Sequence, residues 1–405
     1  MTVRVVIAGG SFGGLTTAYE LRRHLGPDQA AITLIAKDRR FTFVPSLPWV
    51  AMGSRTLEQI SFDLAEPLAV KHVGFVHQSI TGVDTETKVV TTDQGEHPYD
   101  FLVIATGHRS ANEAVEGLGP FDGPGHSPMS APEAEELRIA IAALLDEPGP
   151  VVVGAAPGAS CIGPAYELAF ELDHLLRRRK LRHQVPLTLL TPEPFLGHMG
   201  MGGAGKIRQL LEGELEERDI SYATSAAVTR ITAESVVIDG AAPVPSVLSI
   251  VIPPLAGIEA VAKSAGLSNP KGFVPTDAHY RHQVADGVYA VGVAVAMAPV
   301  AETPVAVNFP KTGHMTEQMA QIAARDIAAR TLGRGGDAAA ELSARCVLDM
   351  GDRGAYLAVD PVRPPRNAIP TVSEGRRWLL AKRVFERTYL WHAKRGRRMP
   401  TALGW

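Results

Sequence analysis

An α/β protein with two Rossmann-like units is the fold that three observations on this 405-residue sequence predict. An apolar strand pattern running through a glycine-rich turn into a helix opens the chain. A second such start follows near residue 149, and a late apolar strand, Gly287–Gly292, can return the chain to the first unit. Strands and helices in this order give parallel sheets with ligands at the strand carboxyl ends. The length supports two or three domains. Residues 1–110 and 276–330 are expected to form the first dinucleotide-binding domain, 111–275 the second Rossmann-like domain, and 331–405 a C-terminal region.

Val3–Ala8 is the first strand, and Gly9, Gly10, Ser11, Phe12, Gly13 and Gly14 form its turn. The helix follows through Leu15, Ala18, Leu21 and Leu25, and Ala31–Ile35 is the second strand. A turn of this kind lets backbone N–H groups approach a pyrophosphate at the positive end of a helix. The glycine pattern is imperfect: Ser11 holds its middle position, and Ala36 stands where an acid would meet a ribose. Tyr99–Ala105 is a further strand that delivers Thr106 and Gly107 at its carboxyl end. With Gly292 closing the same unit, the first site is read as FAD-binding.

The second start is Val151–Val153 followed by Gly154-Ala155-Ala156-Pro157-Gly158-Ala159, a helix running past Leu176, the basic end Arg177–Lys180 and the strand Leu187–Leu190. This loop lacks the middle glycine and ends in alanine, which argues against a pyridine nucleotide. It leads to Cys161, whose expected place at a helix start favours a thiolate; a buried cysteine packing the turn is the alternative. The other cysteine is Cys346. A helix from about Gly313 to Ala329 precedes the C-terminal region.

Composition is that of a folded protein, 45% hydrophobic and 20% charged with net charge −3. The charge is unevenly placed. From Arg376 to Arg398 there are nine Lys/Arg against Glu386 alone, a local +8, so the remainder carries −11. Trp378, Phe385 and Tyr389 share one face of a helix there, interleaved with bases, a composition that fits an anionic membrane surface. Packing of this basic helix onto the acidic remainder is the alternative. No stretch reads as a membrane span or as a secretory signal, and no motif for nucleic acid is present. A peripheral protein on the cytoplasmic side of the cell membrane is expected, with a homo-oligomer left open.

Several segments, in order along the chain, resemble the sulfide:quinone oxidoreductase family: Phe43–Val50, Gly158–Glu167, Glu193–His198, Pro310–Met315 and Cys346–Gly354. That family shares its fold with type-two NADH dehydrogenases and the flavoprotein subunit of flavocytochrome c sulfide dehydrogenases. The resemblance implies two FAD/NAD(P)-binding-type domains with a C-terminal membrane-associating region. It also implies a redox pair of Cys161 and Cys346 near the flavin, with sulfide or a related small thiol as donor and a membrane quinone as acceptor. Hydrosulfide would attack one sulfur of a bridge, with Cys346 in a loosely patterned loop as the attacked atom. Cys161 would then pass two electrons to the flavin.

Further roles follow from the same resemblance. His198 and Glu167 would serve the sulfide side, His198 moving protons near neutral pH. Lys311, Thr312 and Gly313 would face the flavin carbonyls, Pro45 the ring, and Phe385 the quinone. The sequence departs from many family members at Met129, where they carry a third cysteine, and near Glu133, where they carry a histidine. The FAD is therefore expected to be non-covalent. Two other readings remain: a flavoprotein using another thiol donor or a soluble acceptor, and an FAD protein acting as a redox or persulfide sensor without turnover.

Overall fold

The computed structural model describes residues 2–119, 121, 123–335 and 341–399. Its first sheet has five parallel strands in the order Val288–Ala290, Phe101–Ile104, Val3–Ala8, Ala30–Ala36 and Val73–His77. The late strand thus lies at the edge, beside Phe101–Ile104, although nearly 200 residues separate them in the chain. Val5, Val6, Ile7, Leu34, Ile35, Leu102, Val103 and Ile104 are buried, as expected for parallel strands covered on both faces. Helices Phe12–His24 and Gly313–Thr331 pack against each other over this sheet.

A second sheet of five parallel strands follows the order Gly125–His126, Leu248–Ile252, Val151–Ala155, Leu187–Leu190 and Ile220–Ala223. Its crossover helix is Gly163–Arg179, which ends in three arginines and a left-handed Lys180 at φ 60°. Sequence reasoning put the start of this helix about four residues too early. Pro164 occupies the first helical turn, where its missing N–H costs nothing, so the helix begins there and Ser160–Cys161 stay in the loop.

The C-terminal region adds three antiparallel strands, Ala344–Asp349, Gly354–Val359 and Thr371–Gly375, and then the helix Arg376–Ala393. Cys346 lies in the first of these strands, paired with Leu357, and not in a loop as expected. The tight turn at Met350–Arg353 is pinned to the second unit: Arg218 Nη2 donates to Asp352 at 2.7 Å and Arg353 Nη2 to Glu214 at 2.8 Å. That pinning orients the strand carrying Cys346 against the helix that follows Cys161.

Among the described residues, no helix is long and apolar enough to cross a membrane, and no cluster of side chains is suited to a metal ion.

Candidate active site

The first turn has the shape a pyrophosphate requires. Gly9 has φ +117°, and a Cβ there would lie 2.2 Å from the Ala105 carbonyl oxygen; one on Gly14 would lie 1.8 Å from that of Gly9. Side chains are excluded at both positions, so the turn brings bare backbone to the start of a 13-residue helix. No side chain caps the first N–H groups of that helix and its first turn carries no acid, so the positive end is open to an anion. Gly107, at φ +71°, faces open space at the carboxyl end of its strand. Gly292 (φ +69°) is closed in by Thr316. Ala36 is buried, so no acid meets a ribose from that position. These residues fit a flavin dinucleotide.

Lys311 is not a solvated lysine. Its Nζ donates to the carbonyls of Val293 at 2.9 Å and Val295 at 2.5 Å, and stands 3.9 Å from the Phe273 ring centre. Burial pushes its ammonium down to about 7. Nearby His108, which sequence reasoning missed, is held down at about 4 by burial and then by Lys311. Thr312 caps the helix Gly313–Thr331, its hydroxyl accepting from Met315 N–H at 3.3 Å. Pro45 is exposed within the short turn Val44–Ser46.

The second glycine loop is closed by protein. The Gly158 amide donates to Ala306 O at 2.6 Å, and Asn308 donates through Nδ2 to Gly158 O at 2.6 Å and through its own amide to Ala159 O. The Gly158 N–H that a second dinucleotide phosphate would use is thus already engaged.

The two cysteines come together. The helix after Cys161 packs on the strand that holds Cys346, with Leu348 against Gly163. Both are free thiols, partly accessible. Burial and then the charge of Glu167 push Cys161 up to about 11. A helix start typically contributes ~0.3–1 kcal/mol to a nearby anion, less than one pKa unit, and Cys161 lies before the helix cap at Ile162, so the expected activation of Cys161 by the helix dipole is outweighed. Cys346 is pushed up to about 12, first by burial, then by Glu167 and by Cys161, against the pull of Lys382.

Glu167 stands at the centre of this group. It forms a buried ion pair with Lys382 of the C-terminal helix. Burial, and then the Asp349 charge, raise it to about 7 against the attraction of Lys382. Burial lowers the Lys382 ammonium, but Glu167, Glu171 and Asp349 more than offset this and raise it. Asp349 accepts from Trp49 Nε1 at 2.8 Å and from the Gly351 amide at 2.7 Å. Lys382, Glu171, Asp349 and Trp49 were not singled out from the sequence as site residues. The one available signal was the i, i+4 spacing of Glu167 and Glu171 on an otherwise apolar helix face.

His198 is buried in the loop that follows Glu193, and burial lowers its pKa. Its Nδ1 accepts from the Gly200 amide at 3.3 Å, and its ring stands edge-on to Phe195. The loop hangs from Glu193, which accepts from Tyr166 Oη at 2.6 Å, Thr191 Oγ1 at 2.7 Å and the Met199 amide at 2.6 Å. At the departures from the family pattern, Glu133 serves helix capping: it accepts from Ser127 Oγ at 2.9 Å and donates its amide to Ser130.

The C-terminal helix has two different faces. Inward, Phe385 stands 5.7 Å from the Phe43 ring, Tyr389 meets Phe12, Phe41 and Phe43, and Glu386 accepts from Ser46 Oγ at 2.6 Å and Arg55 Nε at 2.9 Å. Outward, Leu380, Val384 and Trp391 are exposed on one stripe, flanked by Arg376, Arg377, Arg383, Arg387, Lys394 and Arg395. The expected common face of Trp378, Phe385 and Tyr389 splits: Trp378 stacks on Tyr356 at 4.3 Å instead.

Comparison with known proteins places this geometry among relatives. The pattern of the pyridine nucleotide-disulphide oxidoreductases matches residues 3–321. The sulfide-quinone reductase of Aquifex aeolicus is 36% identical over 99% of this chain and 93% of its own. The crystal structure of the sulfide:quinone oxidoreductase from that bacterium superposes with a TM-score of 0.95, covering 99% of this chain and 94% of the other. NDH2 from Plasmodium falciparum, at 13% identity and TM-score 0.73 over 98% and 96% of the two chains, shares the fold.

Proposed function

The chain belongs to the sulfide-quinone reductase family of pyridine nucleotide-disulphide oxidoreductases, and on that premise we propose that it oxidises sulfide to polysulfide or sulfur through Cys161 and Cys346. FAD is the internal carrier and a membrane quinone the acceptor. The observation that carries the reading is the meeting of its only two cysteines, 185 positions apart (346 − 161), beside one buried Glu167–Lys382 pair.

Gly9, Ser11, Phe12, Gly13 and Gly14 with Ala36, Thr106, Gly107 and Gly292 hold the FAD, without a covalent tether since Met129 offers no thiol. Pro45, Lys311, Thr312 and Gly313 border its ring. When bound, FAD supplies a two-electron acceptor that hands electrons on to quinone. On this division residues 1–110 and 276–330 carry the flavin, 111–275 carry Cys161, and 331–405 carry Cys346 and the membrane-facing segment.

Hydrosulfide attacks one sulfur of a Cys161–Cys346 bridge, leaving a persulfide on that cysteine and a thiolate on the other. Thiols pushed up to about 11 and 12 are poor thiolates at neutral pH, so a base must stand beside them. Glu167, at about 7, is suited to exchange that proton. His198, with Nδ1 occupied by the Gly200 amide, exchanges protons through Nε2 and shapes the loop.

Phe385, packed on Phe43, lines the quinone approach. The exposed Leu380, Val384 and Trp391 with their arginine flanks dock on anionic lipid from the cytoplasmic side.

Anaerobic mixing of the lipid-reconstituted protein with sulfide tests the reading. Flavin absorbance should bleach, recover on adding quinone, and stay unbleached in Cys161→Ser. A flavin that sulfide never bleaches in the wild type overturns sulfide as donor and favours the sensor reading.

A further inference from the structure

Glu171 lies one helical turn beyond Glu167 and is only 6% exposed. Both of its carboxyl oxygens are buried, and no N–H or O–H donor among the described residues reaches either. It faces the Asp349 carboxyl, whose own oxygens are already satisfied by Trp49 Nε1 and the Gly351 amide. Two carboxyls can meet this way only if one carries a proton. Asp349 has N–H donors on both oxygens and Glu171 has none among the described residues, which leaves the proton on Glu171.

Charge counting gives the same answer. Glu167 and Glu171 from one helix, Asp349 from the neighbouring strand and Lys382 from the C-terminal helix are the charged groups of this cluster. Fully ionised, three carboxylates against one ammonium would leave −2 in the interior, beside two thiols that must at times be thiolates. Burial and the charges of Glu167 and Asp349 hold the Glu171 carboxyl well above the usual range, consistent with a neutral acid.

We propose that Glu171 and Asp349 form a shared-proton carboxyl pair that serves as proton relay of the sulfur site, with Glu167 conveying the proton to and from the cysteines. The relay rests on the thiol-pair chemistry above. When hydrosulfide opens the bridge, HS⁻ and R–S–S–R′ become R–S–SH and R′–S⁻, and no electrons leave the sulfur atoms in that step. The proton of Glu171 moves through Glu167 to R′–S⁻, giving R′–SH and the Glu171 carboxylate. It returns by the same route when the thiolate is needed to pass its electrons on. Glu171 touches no sulfur and acts through Glu167, so it is a positioning and relay residue.

Infrared difference spectroscopy on the full-length FAD-loaded protein tests this, with the cysteine pair reduced by an electrode so that the result does not depend on sulfide being the donor. The expected result is a protonated-carboxyl C=O band at pH 7–8 that moves with ¹³C-labelled glutamate, shifts when the pair is reduced, and is absent in Glu171→Gln. No such glutamate band in the labelled wild type overturns the proposal, whether or not the variant folds. A band that does not respond to cysteine reduction also overturns it, since a merely structural acid would behave so. In stopped-flow mixing with sulfide, Glu171→Gln should bleach its flavin on the order of tenfold more slowly than wild type. Its rate should rise with pH, because the thiol must then give its proton to solvent to become the thiolate that passes electrons on. An unchanged rate and pH profile in a folded Glu171→Gln overturns the relay. Asp349→Asn should keep the band at a shifted frequency, and its loss there would assign the proton to Asp349 and overturn the assignment to Glu171.

Discussion

Replacing Lys382 with methionine removes the only cation that, among the described residues, faces Glu167, Glu171 and Asp349, while keeping most of the side-chain volume. Breaking a buried ion pair by deleting one partner costs about 3–5 kcal/mol, mostly because the remaining charge is left uncompensated. With an unfolding entropy of roughly 2.1 cal/mol/K per residue, that corresponds to a melting point about 4–6 °C lower, if the chain unfolds as one unit. The loss should depend on pH. In the wild type Glu167 is raised to about 7 in the folded state, above its unfolded value. A carboxyl raised on folding contributes its full stability below the unfolded pKa and loses it as pH rises through the folded one. Without Lys382 the folded value climbs further, so the loss continues above pH 7 where the wild type has levelled off. Thermal melts of both proteins between pH 5 and 9 should diverge as pH rises, and Glu167→Gln with Lys382→Met should recover part of the gap. Parallel melting curves across that range, or a double variant no better than the single one, would refute the placement of a charged pair in this interior.

Gly14→Ala should yield folded protein without yellow colour, or little soluble protein at all, because its Cβ would lie 1.8 Å from the Gly9 carbonyl oxygen; flavin content per chain is the measurement. Alkylation of Cys346 by iodoacetamide in the reduced protein should still be accelerating at pH 9, since its thiol is pushed up to about 12; a plateau near pH 8 would contradict that burial. Glu substitutions at Leu380 and Trp391 together should weaken sedimentation with anionic vesicles at least tenfold and leave the melting point within about 1 °C, as both side chains are exposed.

What the sequence made legible follows local physics. The strand Leu187–Leu190 and the helix ending in Arg177–Arg179 lie where periodicity and end charge put them. So does the strand Val288–Ala290, which pairs beside Phe101–Ile104. The start of the helix after Cys161 was misplaced because the glycine–alanine loop looked competent to open it, while Pro164 decides where it begins. Cys346 was assigned to a loop because the turn residues Gly351–Gly354 dominate the local pattern; its strand exists through pairing with Leu357, a contact no window of sequence displays. Lys382 was hidden for the same reason. It sits in a run of bases that reads as a solvated or lipid-facing surface, and only the fold reveals that this one base turns inward to an acid 215 positions earlier.

That inward turn explains why one helix carries both a basic surface and a buried site. A helix face repeats every three to four residues, so Leu379, Lys382, Glu386, Tyr389 and Ala393 point to the protein while Leu380, Arg383, Val384, Arg387 and Trp391 point away. The inner row makes three polar anchors in sequence: Lys382 to Glu167, Glu386 to Ser46 and Arg55, and the Ala393 carbonyl to Tyr19 Oη. Each anchor joins the helix to a different part of the protein, the first to the helix after Cys161, the others to the first unit. The outer row is thereby held rigidly relative to the cysteines and to Phe385. Charges that looked like one undifferentiated patch in the sequence divide into those that fix the helix and those free to meet a surface. The position of any membrane contact follows from the same anchors that organise the sulfur site.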